Sequence, residues 1–267
     1  MFGTLIGIFL TSAGIVLGAD AVLWGSSAPG ATRGEKTCTP SERSVAAFEG
    51  WYGEGLYLYK QFHDKCHAMA RSSKPLSLEE QADRLIQTLQ QKYRDHTGPI
   101  PPHAASLPPS VSTHVAFVAV AGFNGTTPVV TVRELRWEKD RKGQWRLIAE
   151  RIGKLSFQGC GAKFIGEDGV AALLLDTSPH FEQEKSRPDV CAASKANRLQ
   201  KEDDCVSSLF KVEDAKTLYK TAVRMTIDHG EEFHIEHGAV GGRLQLLTIP
   251  TAWSIQEELV DPEQYLK

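Results

Sequence analysis

The sequence has no excess of positive charge and no Cys-X-X-Cys pair. Its 30 Lys and Arg residues are outnumbered by 33 Asp and Glu residues, which gives a net charge of −3. A protein that binds a polyanion needs a basic surface, so nucleic acid is not expected as a partner. Because the five cysteines are scattered, neither a zinc site nor a dense disulfide framework is predicted, although Cys191 and Cys205 remain open to pairing in an oxidising compartment.

Positive charge is also missing from the start of the chain, where the first basic residue is Arg33. Phe2 to Gly18 is uncharged and mostly apolar, and Ala19-Asp20-Ala21 resembles a signal-peptidase site, so a secretory signal peptide is one interpretation. The absence of a basic n-region and the turn signal Thr11-Ser12-Ala13-Gly14 favour a buried β-hairpin instead. A membrane helix is disfavoured because the run is short and carries internal glycines.

The remaining composition is that of an ordinary globular protein. The chain has 267 residues, of which 41% are hydrophobic and 24% charged. This length suits one large domain or two small ones, and it can bury a sizeable core. We expect a single domain over 1–267, with a proline-rich connector at 97–112 and a polar insertion at about 176–210.

The predicted elements occur in blocks of one type. A capping box at Ser77-Leu78-Glu79-Glu80 marks the start of one helix, and Asn124-Gly125 marks a tight turn between strands. Strands are predicted over 4–10, 14–19, 44–48, 114–123, 129–137, 145–151, a strand ending in Phe157, 243–249 and 252–255, and helices over 51–71, from Leu78 onward and over 212–229. Since helices do not alternate with strands, antiparallel sheets with helices on their outer faces are favoured over βαβ units.

Thr4 is the candidate nucleophile. If the bond between Gly3 and Thr4 were cut, Thr4 would carry both a hydroxyl and a free α-amine. An α-amine has a pKa near about 8, so at neutral pH it can accept the hydroxyl proton. This is the N-terminal-threonine form of nucleophilic catalysis. An ordinary strand threonine is the competing interpretation.

Three later residues follow Thr4 at regular spacing: Asp20 sixteen residues on, Lys36 sixteen further and Gly50 fourteen further. This pattern, together with Gly3-Thr4, resembles the opening of the proteasome β-subunit family. The resemblance implies an N-terminal-nucleophile hydrolase fold, a four-layer αββα sandwich of two stacked antiparallel sheets with helices outside. It also implies a threonine-type endopeptidase that is activated by self-cleavage at Gly3-Thr4.

The resemblance assigns a role to each of these residues. The Lys36 ammonium would stabilise the Thr4 alkoxide, and Asp20 would orient the lysine. The backbone N–H of Gly50 would donate to the oxyanion of the tetrahedral intermediate.

Further residues would support the α-amine. Cys160 and Gly161 stand where the family usually has a serine in a Gly-X-Gly step. Glu236 and His237 precede Gly241-Gly242, His237 at the place of an aspartate, and Val240 replaces a second serine. These departures keep a non-catalytic assembly or binding subunit of the same fold as an alternative. An exported domain that loses about 21 residues is another alternative.

No cofactor is expected. The spacing His234-X-X-His237 is not a zinc pattern, so no metal is expected either. The resemblance implies a peptide or protein substrate, a homo-oligomeric ring and a regulatory or ATPase partner. The expected location is cytoplasmic, or secreted or periplasmic if residues 1–21 are a signal peptide.

Overall fold

The computed structural model describes eight stretches of the chain, residues 4–11, 13–20, 36–50, 58–98, 113–166, 211–229, 240–251 and 254–266. The proline-rich connector and the polar insertion fall almost wholly outside these stretches, and the single-domain assignment stays a prediction.

Strands and helices alternate in blocks within the described residues. The helices are α1 (Leu58–Ala70), α2 (Leu78–Thr97) and α3 (Val212–His229). The strands are β1 (Leu5–Thr11), β2 (Gly14–Asp20), β3 (Thr37–Ser41), β4 (Ser44–Gly50), β5 (Thr113–Asn124), β6 (Thr127–Lys139), β7 (Trp145–Arg151), β8 (Phe157–Gln158), β9 (Gly161–Gly166), β10 (Leu244–Pro250) and β11 (Gln256–Val260).

The strands form two antiparallel sheets. Sheet I has the order β11-β10-β2-β1-β9, and sheet II has the order β3-β4-β5-β6-β7, with β8 paired to β6. The β1–β2 hairpin, joined through 12–13, lies at the centre of sheet I, where Ile6 pairs with Ala19 and Thr11 with Gly14.

The two sheets pack face to face between two helical layers. Alternate residues of β1, such as Ile6, Ile8 and Leu10, contact sheet II in one core. Leu5 and Phe9 point the other way and pack against α3. Helices α1 and α2 cover the outer face of sheet II in a third core. The molecule is therefore a four-layer αββα sandwich, which confirms the predicted fold class.

A tyrosine on α3 explains why the hairpin contains glycines. The Tyr219 ring lies over Gly7 and Gly18, and a Cβ on Gly18 would come within 2.7 Å of that ring. The Tyr219 hydroxyl donates a hydrogen bond to the Leu5 carbonyl at 2.7 Å. The apolar opening segment is thus built into the middle of sheet I, as the hairpin interpretation predicted.

Three element predictions need correction. Strand β3 was missed, because Thr37–Ser41 contains a proline and a register shift. Strand β9 was missed because it follows the turn at Gly159. Of the strand predicted over 252–255, the described residues 254 and 255 are not in a strand, and the last strand is Gln256–Val260; its edge position leaves mostly exposed polar side chains without an apolar alternation.

None of the described helices is long and apolar enough to cross a membrane.

Candidate active site

Thr4 and Asp20 lie at the same end of the hairpin. Thr4 immediately precedes β1 and is fully buried. Asp20 is the last residue of β2, and its Oδ1 accepts a hydrogen bond from the Leu5 amide at 2.9 Å. The sixteen-residue spacing follows directly from two seven-residue strands joined by a tight turn.

Lys36 reaches this end of the hairpin from sheet II. It immediately precedes β3, and its carbonyl accepts a hydrogen bond from the Phe48 amide of β4 at 2.8 Å. Its own amide donates to Gln245 Oε1 of β10, also at 2.8 Å. Lys36 is therefore held by both sheets, and its side chain lies between them.

The three side chains meet. Lys36 Nζ donates a hydrogen bond to Thr4 Oγ1, and it lies 3.6 Å from Asp20 Oδ1. All three residues are fully buried. The structure thus brings together the predicted nucleophile, cation and carboxylate.

Asp20 is fixed by the backbone on both oxygens. Its Oδ2 accepts a hydrogen bond from the Gly241 amide at 3.1 Å. Gly241 has φ +132°, a region in which a Cβ is strained. The Gly241-Gly242 step therefore serves as an anchor for the carboxylate.

Burial lowers the pKa of Lys36 below its ordinary value of 10.5, while the nearby carboxylates of Asp20 and Glu49 raise it partway back. The Lys36 ammonium donates directly to the Thr4 hydroxyl in this buried environment. This arrangement can stabilise an alkoxide on Thr4 or exchange a proton with it.

Gly50 ends β4 and pairs with Ala116 of β5. A Cβ at this position would lie 2.6 Å from the Phe48 ring, so the site has no room for a side chain. The helix expected from residue 51 is described only from Leu58, and the oxyanion role of Gly50 stays a prediction.

The predicted support from Cys160 and Gly161 needs correction. Gly161 pairs with Leu10, whereas Gly166 pairs with Leu5, so the Cys160 end of β9 lies at the far end of β1 from Thr4. At about 3.3 Å per residue, five strand positions separate the two ends by about 17 Å. In addition, Cys160 is disulfide-bonded and has no thiol proton to donate.

The role predicted for Glu236 and His237 in supporting the α-amine stays a prediction. Glu236 and His237, like Gly3 of the processing site, lie outside the described residues. Val240 is buried in the core beneath α3. Across the described part of the chain, no cluster of three His, Cys, Asp or Glu side chains is placed to hold a metal.

Sequence reasoning missed three contributors to the site. Gln245 is a polar amide within the otherwise largely apolar strand β10, and this was the sequence signal that could have identified it as a site residue. Gly166 has φ +92°, and a Cβ on it would lie 2.1 Å from the Thr4 carbonyl oxygen. Glu49 is buried one residue before Gly50, and a buried carboxylate in an apolar strand signals a partner.

A further missed feature is the disulfide between Cys38 and Cys66. It joins β3, two residues after Lys36, to α1. A separation of 28 residues gave no local spacing signal for the bond.

Comparisons with known proteins identify the fold. No protein-family model matches the chain, and no curated protein matches it. The Anbu (ancestral beta-subunit) structure from Yersinia bercovieri is similar over 97% of this chain and 88% of its own, with a TM-score of 0.56 and 11% identity. An Anbu (Gly-1) mutant from Hyphomicrobium sp. strain MC1 is similar over 98% of this chain and 89% of its own, with a TM-score of 0.55 and 10% identity.

These neighbours correct the family resemblance. They are Anbu proteins, which are proteasome-like but form a distinct family, so the resemblance to the proteasome β-subunit family named the wrong family. The error has a physical origin, because the interval from Thr4 to Asp20 is set by the length of a hairpin that belongs to the fold. At 10–11% identity the likeness shows the fold alone.

Proposed function

We propose that this chain is an N-terminal-threonine hydrolase that cleaves amide bonds in peptides or proteins. The observation that carries the proposal is the hydrogen bond from Lys36 Nζ to Thr4 Oγ1 in a fully buried site that also holds Asp20. A strand threonine with no chemical role has no need of a buried lysine, since burying an ammonium is costly.

Activation begins with self-cleavage. The Thr4 Oγ attacks the Gly3 carbonyl carbon, the C–N bond breaks as the ester forms, and the Thr4 nitrogen takes the proton. Water then hydrolyses the ester, which leaves a carboxyl group on Gly3 and a free α-amine on Thr4. Lys36 stabilises the alkoxide in this step, because its ammonium already donates to Oγ1.

Hydrolysis of substrate uses the same atoms. The α-amine accepts the hydroxyl proton while Oγ attacks the substrate carbonyl, and it returns the proton to the amine that leaves as the C–N bond breaks. Water then hydrolyses the resulting ester, which releases the carboxylic acid and restores the Thr4 hydroxyl. Asp20, fixed by the amides of Leu5 and Gly241, keeps the lysine directed at Oγ1. The Gly50 N–H is proposed as a donor to the oxyanion.

A second candidate is a non-catalytic subunit of the same fold. Its specific support is that Cys160 is disulfide-bonded and Val240 is buried in the core, so neither offers a donor to the α-amine. One neighbour is described as an ancestral beta-subunit, and we propose that this chain works in a homo-oligomeric assembly.

Substitution of Thr4 distinguishes the two candidates. Thr4→Ala removes the nucleophile, so hydrolysis of a fluorogenic peptide mixture falls to the uncatalysed level and the chain stays unprocessed. Thr4→Ser keeps a hydroxyl and an amine, so both reactions continue.

Thr248→Val is the matched control, because Thr248 is a buried threonine on β10 whose hydroxyl has no hydrogen-bond partner among the described residues. Normal hydrolysis by Thr4→Ala would exclude the proposed nucleophile. An unprocessed, inert wild type would support the non-catalytic subunit.

A further inference from the structure

Glu49 places a second carboxylate beside the proposed site. It lies on β4, whose alternate residues Val45 and Ala47 face sheet I in the core between the sheets, so the Glu49 side chain enters the same space. Glu49 is only 1% exposed. Its Cγ and the Thr4 carbonyl oxygen both approach Gly166, where a Cβ would lie 3.3 Å from Glu49 Cγ and 2.1 Å from that oxygen.

Glu49 forms a hydrogen bond with His114, whose side chain is partly exposed. His114 Nε2 lies 2.8 Å from Glu49 Oε2, and His114 Nδ1 lies 3.2 Å from Glu134 Oε1. The imidazole also stacks on Phe117 with 4.1 Å between ring centroids. Since both ring nitrogens face carboxylates, both are donors and the ring carries a positive charge.

The histidine is held in this charged form. Burial by itself lowers the pKa of His114, but the hydrogen bonds to Glu134 and Glu49 outweigh it and raise the pKa to about 9. Arg136 contacts Glu134 from the far side and also pairs with Glu138 and Glu150.

Charged side chains alternate in sign from Glu134, which is partly exposed, to the buried site at Thr4. Close contacts join Glu134 to His114 and His114 to Glu49, and Lys36 pairs with Asp20. The two groups are linked by the electrostatic attraction of Glu49 for Lys36. Within the described residues Glu49 Oε1 has no hydrogen-bond partner. The positive charge of His114 therefore offsets the Glu49 carboxylate through the contact with Oε2 alone. The carboxylates that act on Lys36 are Asp20 and Glu49.

We propose that Glu49 and His114 are positioning residues that set the charge of Lys36: Glu49 holds the lysine protonated, and the charge of His114 governs how strongly it does so. Neither residue needs to touch the substrate. The consequence for hydrolysis rests on the function proposed above, whereas the effect on Lys36 does not.

The proposal predicts shifts of opposite direction. Glu49→Gln removes the negative charge, so the pKa of Lys36 falls. His114→Gln removes the positive charge that offsets Glu49, so the pKa of Lys36 rises. The double variant lacks both charges, so its Lys36 pKa lies between those of the two single variants.

The experiment titrates Lys36 in the full chain labelled with ¹³C at lysine Cε. The Lys36 signal is assigned by its loss in Lys36→Met, and its shift is followed from pH 5 to pH 12. Glu138→Gln is the matched control, because it removes a carboxylate from the outer end of the Arg136 network and leaves the titration of Lys36 unchanged.

Opposite shifts in the two single variants support the proposal. Shifts in the same direction, or no shift in either, overturn it. If Glu49→Gln does not fold, an unchanged or lowered pKa in His114→Gln is sufficient to refute it. A wild type with the predicted Lys36 titration and no hydrolysis would reject the proposed function while leaving the charge assignment in place.

Discussion

Three buried side chains carry the proposed chemistry, and Lys36 is the one whose environment is most unusual. Its ammonium lies in a fully buried site, held by Thr4 on one side and by Asp20 on the other. Sequence spacing was sufficient to select these residues, because each stands at the end or start of a strand. Sequence spacing could not identify Glu49, Gln245 and Gly166, because strand pairing brings these residues to the site.

Lys36→Met is expected to lower the rate of hydrolysis by about 10²–10⁴-fold. Methionine retains the length of the side chain, and Asp20 keeps its bonds to the Leu5 and Gly241 amides, so the fold is retained. The measurement is steady-state hydrolysis of a fluorogenic peptide together with a circular dichroism spectrum.

Lys220→Met is the control for that substitution, since Lys220 pairs with Glu258 on the outer side of sheet I and does not contact Thr4. Turnover by Lys36→Met at the wild-type rate would refute the assigned role of Lys36.

His114 gives the stability of the protein a defined pH dependence. Its pKa is about 9 when folded and about 6.5 when unfolded, so its contribution is complete below about pH 6.5 and is lost as the pH rises through about 9. The contribution amounts to at most roughly 3 kcal/mol. Urea unfolding of wild type and His114→Gln at pH 6 and pH 10 measures it.

The difference in unfolding free energy between these two proteins is expected to be larger at pH 6 than at pH 10. An equal difference at both values would show that the imidazole gains no proton affinity on folding.

The central hairpin depends on close packing between glycines and an aromatic ring. Gly18→Ala would push a Cβ into the Tyr219 ring, so we expect a loss of about 1–3 kcal/mol in unfolding free energy. Gly153→Ala is the control, because a Cβ there meets no atom within 4 Å. Equal stabilities of the two variants in urea would contradict the packing of Tyr219 against β2.

The elements that could be predicted from sequence are those with local signals. The capping box at Ser77 forms as expected, helix α3 spans the predicted residues, and the apolar runs form β1 and β2. Strand β3 gave no comparable signal because it contains a proline and a register shift, and β9 gave none because it pairs with β1 across a long sequence separation. The misplacement of Cys160 has the same cause.

The sandwich formed by the described residues needs the opening segment of the chain. Strands β1 and β2 are the inner strands of sheet I, bordered by β9 and β10, so a chain that began at Val22 would lack the centre of that sheet as well as Thr4 and Asp20. The cytoplasmic location stays a prediction, and the Cys38–Cys66 bond is of a kind commoner in oxidising compartments.

The mass of the intact purified chain tests the proposed self-cleavage most directly. If the chain cleaves itself, the purified wild type begins at Thr4 and Thr4→Ala retains Gly3. Retention of Gly3 in a wild type that hydrolyses peptides, or removal of Gly3 from Thr4→Ala, would contradict self-cleavage.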